Sequence, residues 1–353
     1  MLLPSFLGLS LFAGLFLSVN HDFSIFAQSL NQNTTNSIYV PPTVSTEAQK
    51  QLANLKPDLA SGNLPHPDDL VAWKKIFQDR ENNRNINTTE IANYYQANIT
   101  YKKMGNATVI DIKPNNWVDN GKVLVYTHGG GYTQLSASST LGGALEVANT
   151  TGMRIISIDY TLAPFSKWNQ TTDQILSVIS DLKNNQGYSM NDIAMFGDSA
   201  GGDMTLGSVL KMRDVSIGLP AAVVVFSPNT DLTLTGDTVT TLKEADPVLD
   251  ADGVRTLVST YADPSEYKIP YVSPVYGNFS KGFPPTLIQV GTKEILLSDS
   301  VRFYQALDQA GIPVKLDVYE GMPHVFQGYL AGTPESKIAI SKMNDFLKEY
   351  LIR

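Results

Sequence analysis

The stretch Ile193-Ala194-Met195-Phe196-Gly197-Asp198-Ser199-Ala200-Gly201-Gly202 constrains this 353-residue chain more than any other. An apolar run of strand length passes directly into Gly-x-Ser-x-Gly, and Ser199 to Arg213 then reads as a helix. A serine hydroxyl is a weak nucleophile. On a sharp, exposed strand-to-helix turn it can give its proton to a neighbouring base, while the N-terminus of the following helix faces a developing negative charge. Gly197 and Gly201 leave room for such a turn. Short matches of glycine and serine also arise by chance in loops, so the motif requires support from elsewhere in the chain.

That support begins upstream, where Val123-Leu124-Val125-Tyr126 leads into His128-Gly129-Gly130-Gly131-Tyr132. Successive glycines cost backbone entropy and are expected where main chain must approach something closely. Taken alone the run also reads as a flexible loop. Paired with a serine elbow, it matches the other half of an oxyanion hole, in which glycine N–H groups join the N–H of Ala200, the residue after the nucleophile. Gly130 and Gly131 are the assigned donors, although the pattern alone leaves open which two of Gly129, Gly130 and Gly131 serve. His128 reads as a support for this loop rather than as a base.

Through His128 to Gly131, Asp159-Tyr160-Thr161-Leu162-Ala163-Pro164 and Gly197 to Gly202, the chain resembles the hormone-sensitive-lipase-like family of α/β-hydrolase esterases. Within that family it is most similar to acetyl-hydrolases and monoterpene ε-lactone hydrolases, by Ser227-Pro228-Asn229-Thr230-Asp231-Leu232-Thr233, Ala245-Asp246-Pro247-Val248-Leu249 and Gly321-Met322-Pro323-His324-Val325-Phe326. The likeness runs from about Val44 onward. Thr161 and Phe165 depart from it, standing where the family usually carries arginine and glutamate, which puts a buried ion pair in doubt.

An elbow serine requires a histidine and an orienting carboxylate, and in α/β-hydrolases they follow in the order serine, acid, histidine. His324 is the only histidine after Ser199; it follows the alternating run Val314–Tyr319 and a turn expected at Glu320–Pro323. Its place past the last strand suits a catalytic group. Two acids follow the apolar strand Pro285–Val290. Glu294 lies on the turn that leaves the strand, whereas Asp299 sits where a helix opens and has a structural explanation in complementing the helix dipole. Glu294 is therefore the expected acid, a choice the resemblance supports. Asp198 reads as a structural hydrogen-bonding residue.

Apolar runs and helical patterns alternate from about Tyr95, at Thr108–Lys113, Val123–Thr127, Thr140–Thr150, Arg154–Ile158, Thr172–Asn184, Ile193–Phe196, Ser199–Arg213 and Ala222–Phe226. This predicts an α/β class chain with a mostly parallel central sheet and helices on both faces. The resemblance makes it an α/β-hydrolase fold with a helical cap. Residues 44–353 form the hydrolase domain, with N-terminal cap helices in 44–97 and a cap or pocket insertion in 231–283. The former carry helical patterns at about Ser45–Ala60 and Pro67–Asn82, whose Trp73 and Phe77 either pack the cap down or touch substrate.

A hydrophobic content of 42% and a charged content of 17% allow a large core, and a net charge of −8 argues against a nucleic-acid partner. Four scattered histidines and no cysteine offer no metal site, so the chemistry is expected to need no cofactor. Leu2 to Val19 is uncharged and mostly apolar. Residues 1–27 read as a signal peptide cut near Ala27, or as an uncleaved signal-anchor, since about 18 uncharged residues approach a membrane span. Residues 28–43 read as a linker. Glycosylation triplets at Asn33, Asn87, Asn98, Asn106, Asn149, Asn169 and Asn278 suit a secreted or cell-envelope location. The expected activity is hydrolysis of a small carboxylic ester or lactone. A retired hydrolase scaffold that only binds, and an amidase or peptidase on the same triad, are the alternatives.

Overall fold

A computed structural model describes residues 39–55, 64–83 and 86–351. The expected leader at 1–27 lies outside them. Among the described residues, three helices come first: α1 (Thr46–Asn54), α2 (Leu70–Asn83) and α3 (Thr88–Tyr94). The body follows as β1 (Asn98–Met104), β2 (Ala107–Lys113), β3 (Val123–Thr127), α4 (Leu141–Thr151), β4 (Arg154–Asp159), α5 (Trp168–Gln186), β5 (Ile193–Asp198), α6 (Ala200–Asp214) and β6 (Ala222–Phe226). Next come α7 (Asp237–Thr241), α8 (Ala251–Tyr261), β7 (Thr286–Lys293), α9 (Leu297–Gln309), β8 (Val314–Pro323), α10 (Phe326–Tyr329) and α11 (Pro334–Tyr350).

The strands form one eight-stranded sheet in the order β1-β2-β4-β3-β5-β6-β7-β8. β2 pairs antiparallel with both β1 and β4, and every pairing from β4 to β8 is parallel, so only β2 runs against the rest. Residues along β3 alternate between the two faces. Val123 and Val125 join one apolar cluster with Ile175, Leu206, Val209 and Phe303 of α5, α6 and α9, while Leu124 and Tyr126 join a second with Leu145 of α4 and Met343 and Leu347 of α11. A sheet covered on both faces needs apolar residues at every position, and β3 and β6 are buried throughout.

Three departures from the sequence expectation have local causes. β1 was not expected, because Asn-Ile-Thr-Tyr-Lys-Lys-Met is an edge strand with mostly solvent-facing positions and offers no apolar run. Glu320–Pro323, expected as a turn from its glycine and proline, continues β8 instead, and a register shift at Gly291/Lys293 lets Lys293 pair with Pro323. The third departure is α11, whose start at Thr333-Pro334-Glu335 was not singled out; the Thr333 side chain caps it by accepting from Ser336 N–H, with proline in its first turn.

The N-terminal helices attach at separate places. Ser45 caps α1, and its main-chain N–H and hydroxyl both donate to Glu335, each at 2.7 Å. Ala48 and Leu52 of α1 pack with Tyr319, Met322, Phe326 and Leu330, so this helix backs the segment that carries His324. Just upstream, the Lys293 ammonium donates to the Tyr39 carbonyl and lies 4.9 Å from its ring centre. On α2, Trp73 is fully buried, and Phe77 bridges it to Phe165 through edge contacts at 6.0 and 5.5 Å. This favours packing for both α2 aromatics. It also gives Phe165, at a position where the family pattern has a charge, an apolar role against α2.

Candidate active site

The elbow forms where β5 meets α6. Ser199 has φ 52° and ψ −124°, a backbone state that costs an ordinary residue energy and persists only where its surroundings hold it. They do so here through the Ser199 N–H, which donates to Phe226 O at 2.8 Å. A Cβ at Gly201 would lie 2.1 Å from Thr127 O, so the motif glycine lets α6 approach the end of β3.

His324 follows β8 and is 2% exposed. Its Nε2 lies 2.8 Å from Ser199 Oγ and its Nδ1 3.0 Å from Glu294 Oε2. An ionised carboxylate can only accept, so Nδ1 carries the proton and Nε2 is left to accept from the serine hydroxyl. Glu294 is fully buried directly after β7. Its other oxygen accepts from Gly291 N–H at 2.6 Å and from the Ser227 hydroxyl at 2.9 Å. Ser227 Oγ in turn accepts from Val325 N–H at 3.0 Å, tying the acid to the residue after the histidine. Ser227 belonged to a family mark in the sequence but had no assigned role; its position just after β6 was the only signal.

The competing acid is elsewhere. Asp299 is fully buried in the first turn of α9 and accepts from Asp231 N–H at 2.8 Å, with no hydrogen bond to His324. Burial pushes its carboxyl up to about 8, so at neutral pH it is largely uncharged. Asp299 thus sits in the first turn of α9, as expected from the sequence, where its carboxyl also holds the Asp231 main chain. A carboxyl that the sequence reading left without a role, Asp246, stands closer to the site. It accepts from Ile295 N–H at 2.8 Å, beside Glu294, and from Val248 and Leu249 N–H at 2.8 and 2.9 Å. Burial raises it to about 6 against the opposing pull of His324 and these N–H groups.

The glycine loop lies over the elbow. Gly129 N–H donates to Asp198 Oδ1 at 3.1 Å, and the same oxygen accepts from Tyr126 OH at 2.6 Å. This occupies Gly129. The N–H groups of Gly130, Gly131 and Ala200 have no hydrogen-bond partner among the described residues. Gly130 has φ 109°, and a Cβ there would lie 2.3 Å from Gln134 O, which explains the glycine. His128 is buried with its ring stacked 4.2 Å from Tyr160, whose hydroxyl donates to His128 O at 2.7 Å, the supporting role expected of it. Above the loop, Leu257 of α8 sits so close that a Cβ on Gly131 would meet its Cδ1 at 2.6 Å.

An elbow serine, an acid and a histidine at the carboxyl ends of β5, β7 and β8, on a sheet in which one strand is reversed, are the architecture of an α/β-hydrolase. Residues 124–328 match the family model described as alpha/beta hydrolase fold. The chain is 33% identical over 226 residues to an esterase of Acinetobacter venetianus, covering 64% of this chain and 74% of that protein. It is 30% identical over 245 residues to an acetyl-hydrolase of Streptomyces hygroscopicus, covering 69% and 81%. A crystallised esterase superposes with a TM-score of 0.80 at 27% identity, over 92% of this chain and 98% of that one. A hormone-sensitive lipase from a metagenome library gives 0.68 at 29%, over 74% and 89%. The chain belongs to the hormone-sensitive-lipase-like family of α/β-hydrolases.

Proposed function

We propose that this protein is an exported serine carboxylesterase that hydrolyses short-chain carboxylic esters or lactones through an acyl-enzyme. The observation that carries the reading is the unbroken chain Ser199 Oγ, His324 Nε2, His324 Nδ1, Glu294 Oε2 beside three unoccupied main-chain donors. In the first half-reaction His324 takes the serine proton as Oγ bonds to the ester carbonyl carbon. The carbonyl oxygen becomes an oxyanion held by Gly130, Gly131 and Ala200 N–H. Collapse breaks the bond to the alcohol oxygen, which leaves with the proton from His324. Water then attacks the acyl-enzyme by the same route, gives its proton to His324, and releases the acid and free serine. Glu294 holds the imidazole tautomer and stabilises the imidazolium.

Residues 44–97 and 231–283 act as cap and pocket wall in this reading. Leu257, resting on Gly131, is the observation that favours small acyl groups. Purified enzyme should give higher kcat/KM on p-nitrophenyl esters with acyl chains of about two to eight carbons than on long-chain emulsions, because an enclosed pocket limits entry. Preference for long-chain triglyceride without turnover of acetate or butyrate esters would contradict the substrate class. Faster turnover of a matched p-nitroanilide would move the assignment to an amidase.

The export part of the proposal rests on the apolar start, the polar stretch after it and the glycosylation triplets. N-terminal sequencing of protein from the native host should begin near Gln28, in the extracellular or envelope fraction. A membrane-bound protein that starts at Met1 would support a signal-anchor instead, and full-length protein in the soluble cytoplasm would defeat export altogether.

A further inference from the structure

We infer that Tyr132 and Asp203 are positioning residues that hold the oxyanion loop in register with the nucleophile; this rests on the proposed roles of Ser199, Gly130 and Gly131. Tyr132 directly follows Gly131. It is 2% exposed and has φ 66°, a left-handed state that a bulky residue adopts only under constraint. Its hydroxyl donates to Asp203 Oδ2 at 2.9 Å and accepts from Asn229 Nδ2 at 3.2 Å. Both of those partners return to the nucleophile. Asp203 N–H donates to Ser199 O at 3.1 Å, and Asn229 N–H reaches the same carbonyl at 3.4 Å. The links close a ring that runs from Tyr132 through Asp203, the Ser199 carbonyl and Asn229 back to Tyr132.

This ring secures the downstream end of the loop, as Asp198 secures the upstream end through Gly129 N–H. Two buried carboxyls thus bracket Ser199, one on each side in sequence, and each pins one end of the 129–132 loop. The Tyr261 ring lies 4.1 Å from the Tyr132 ring at an interplanar angle of 14°, which keeps Tyr132 from swinging away. Asp203 is fully buried, and its Oδ1 has no hydrogen-bond partner among the described residues. Burying a carboxyl here carries a desolvation cost that an apolar side chain would not, and the hydrogen bond its Oδ2 accepts from Tyr132 offsets it. Burial also raises the Asp203 carboxyl well above its ordinary range.

Oxyanion donors act only when aligned on the position the charge will occupy. Loss of one donor costs about 10²–10³ in kcat, and loosening the loop should cost a part of that. Tyr132→Phe keeps the stacked ring and removes the hydrogen bond. With p-nitrophenyl butyrate, and rates normalised to sites titrated by a fluorophosphonate, its kcat should fall by about tenfold or more while KM stays within about twofold. Asp203→Leu should show the same loss, and Asp203→Asn should recover most of it, because an amide oxygen accepts the tyrosine hydrogen bond. Wild-type kcat per titrated site in Tyr132→Phe would overturn the inference. So would a change confined to KM, or an Asp203→Asn enzyme no better than Asp203→Leu. If the wild-type enzyme is not labelled at Ser199, the underlying assignment of the nucleophile has failed instead.

Discussion

Ser199→Ala is expected to lower kcat for ester hydrolysis by about 10⁶-fold, with an unchanged melting temperature to within a few degrees. The hydroxyl forms one bond, to His324, and the elbow is held by main-chain contacts to Phe226, Asp203 and Asn229 that alanine retains. The residue at φ 52° has a Cβ in either case, so backbone strain is the same in both proteins. A fluorophosphonate probe should modify Ser199 alone, since among the described residues no other serine sits on an elbow against a histidine that can accept its proton. Wild-type turnover by the mutant, or labelling of a different serine, would remove the basis of the proposed mechanism.

Glu294→Gln is expected to cost about 10⁴-fold in kcat. Gly291 N–H and the Ser227 hydroxyl both donate to one carboxylate oxygen, so glutamine would place its carbonyl oxygen there and turn its NH₂ toward His324 Nδ1. The imidazole would then carry its proton on Nε2 and could no longer accept from Ser199. Asp299→Asn should leave kcat within about threefold, because it replaces a group already largely neutral at pH 7. A reversed ranking would transfer the role to Asp299. Stability gives an independent readout. The folded-state carboxyl of Asp299 lies near 8 against an ordinary 3.8, so the native state binds more protons than the unfolded chain between those values. Its contribution is full below the ordinary value and is lost as pH rises toward 8. Asp299→Asn should therefore flatten the decline in melting temperature over that range.

The alternation of buried strands and amphipathic helices was legible because a two-sided parallel sheet forces uninterrupted apolar runs, as in β3, β5 and β6. The edge strand β1 escaped notice for the opposite reason: one row of its side chains meets water and it draws on β2 for its register. Within the site, Ser199 and His324 were marked by motif and order, and Glu294 by its place at a strand end. The sequence left the glycine donors ambiguous. In the proposed mechanism Asp198 narrows the choice, since its carboxyl group takes Gly129 N–H and leaves the N–H groups of Gly130 and Gly131 unoccupied. Ser227 and Asp246 fell within family marks without a role, and Asp203 carried no mark, because each acts through hydrogen bonds to residues distant in the chain.

The two ends of the described body leave the sheet on opposite sides. Tyr39 is held by Lys293, the last residue of β7, so the chain enters beside Glu294 at the edge that carries the active site. Helix α11 begins near that edge and runs about 25 Å back across the sheet. It ends at Leu351, buried in the apolar cluster that includes Ala97 and Ala221 at the amino ends of β1 and β6. Immobilisation follows from this directly. A support coupled at Tyr39 would bring the matrix against the edge that carries the catalytic mouth and obstruct bulky esters. Coupling through the C-terminal side would leave the mouth facing solution.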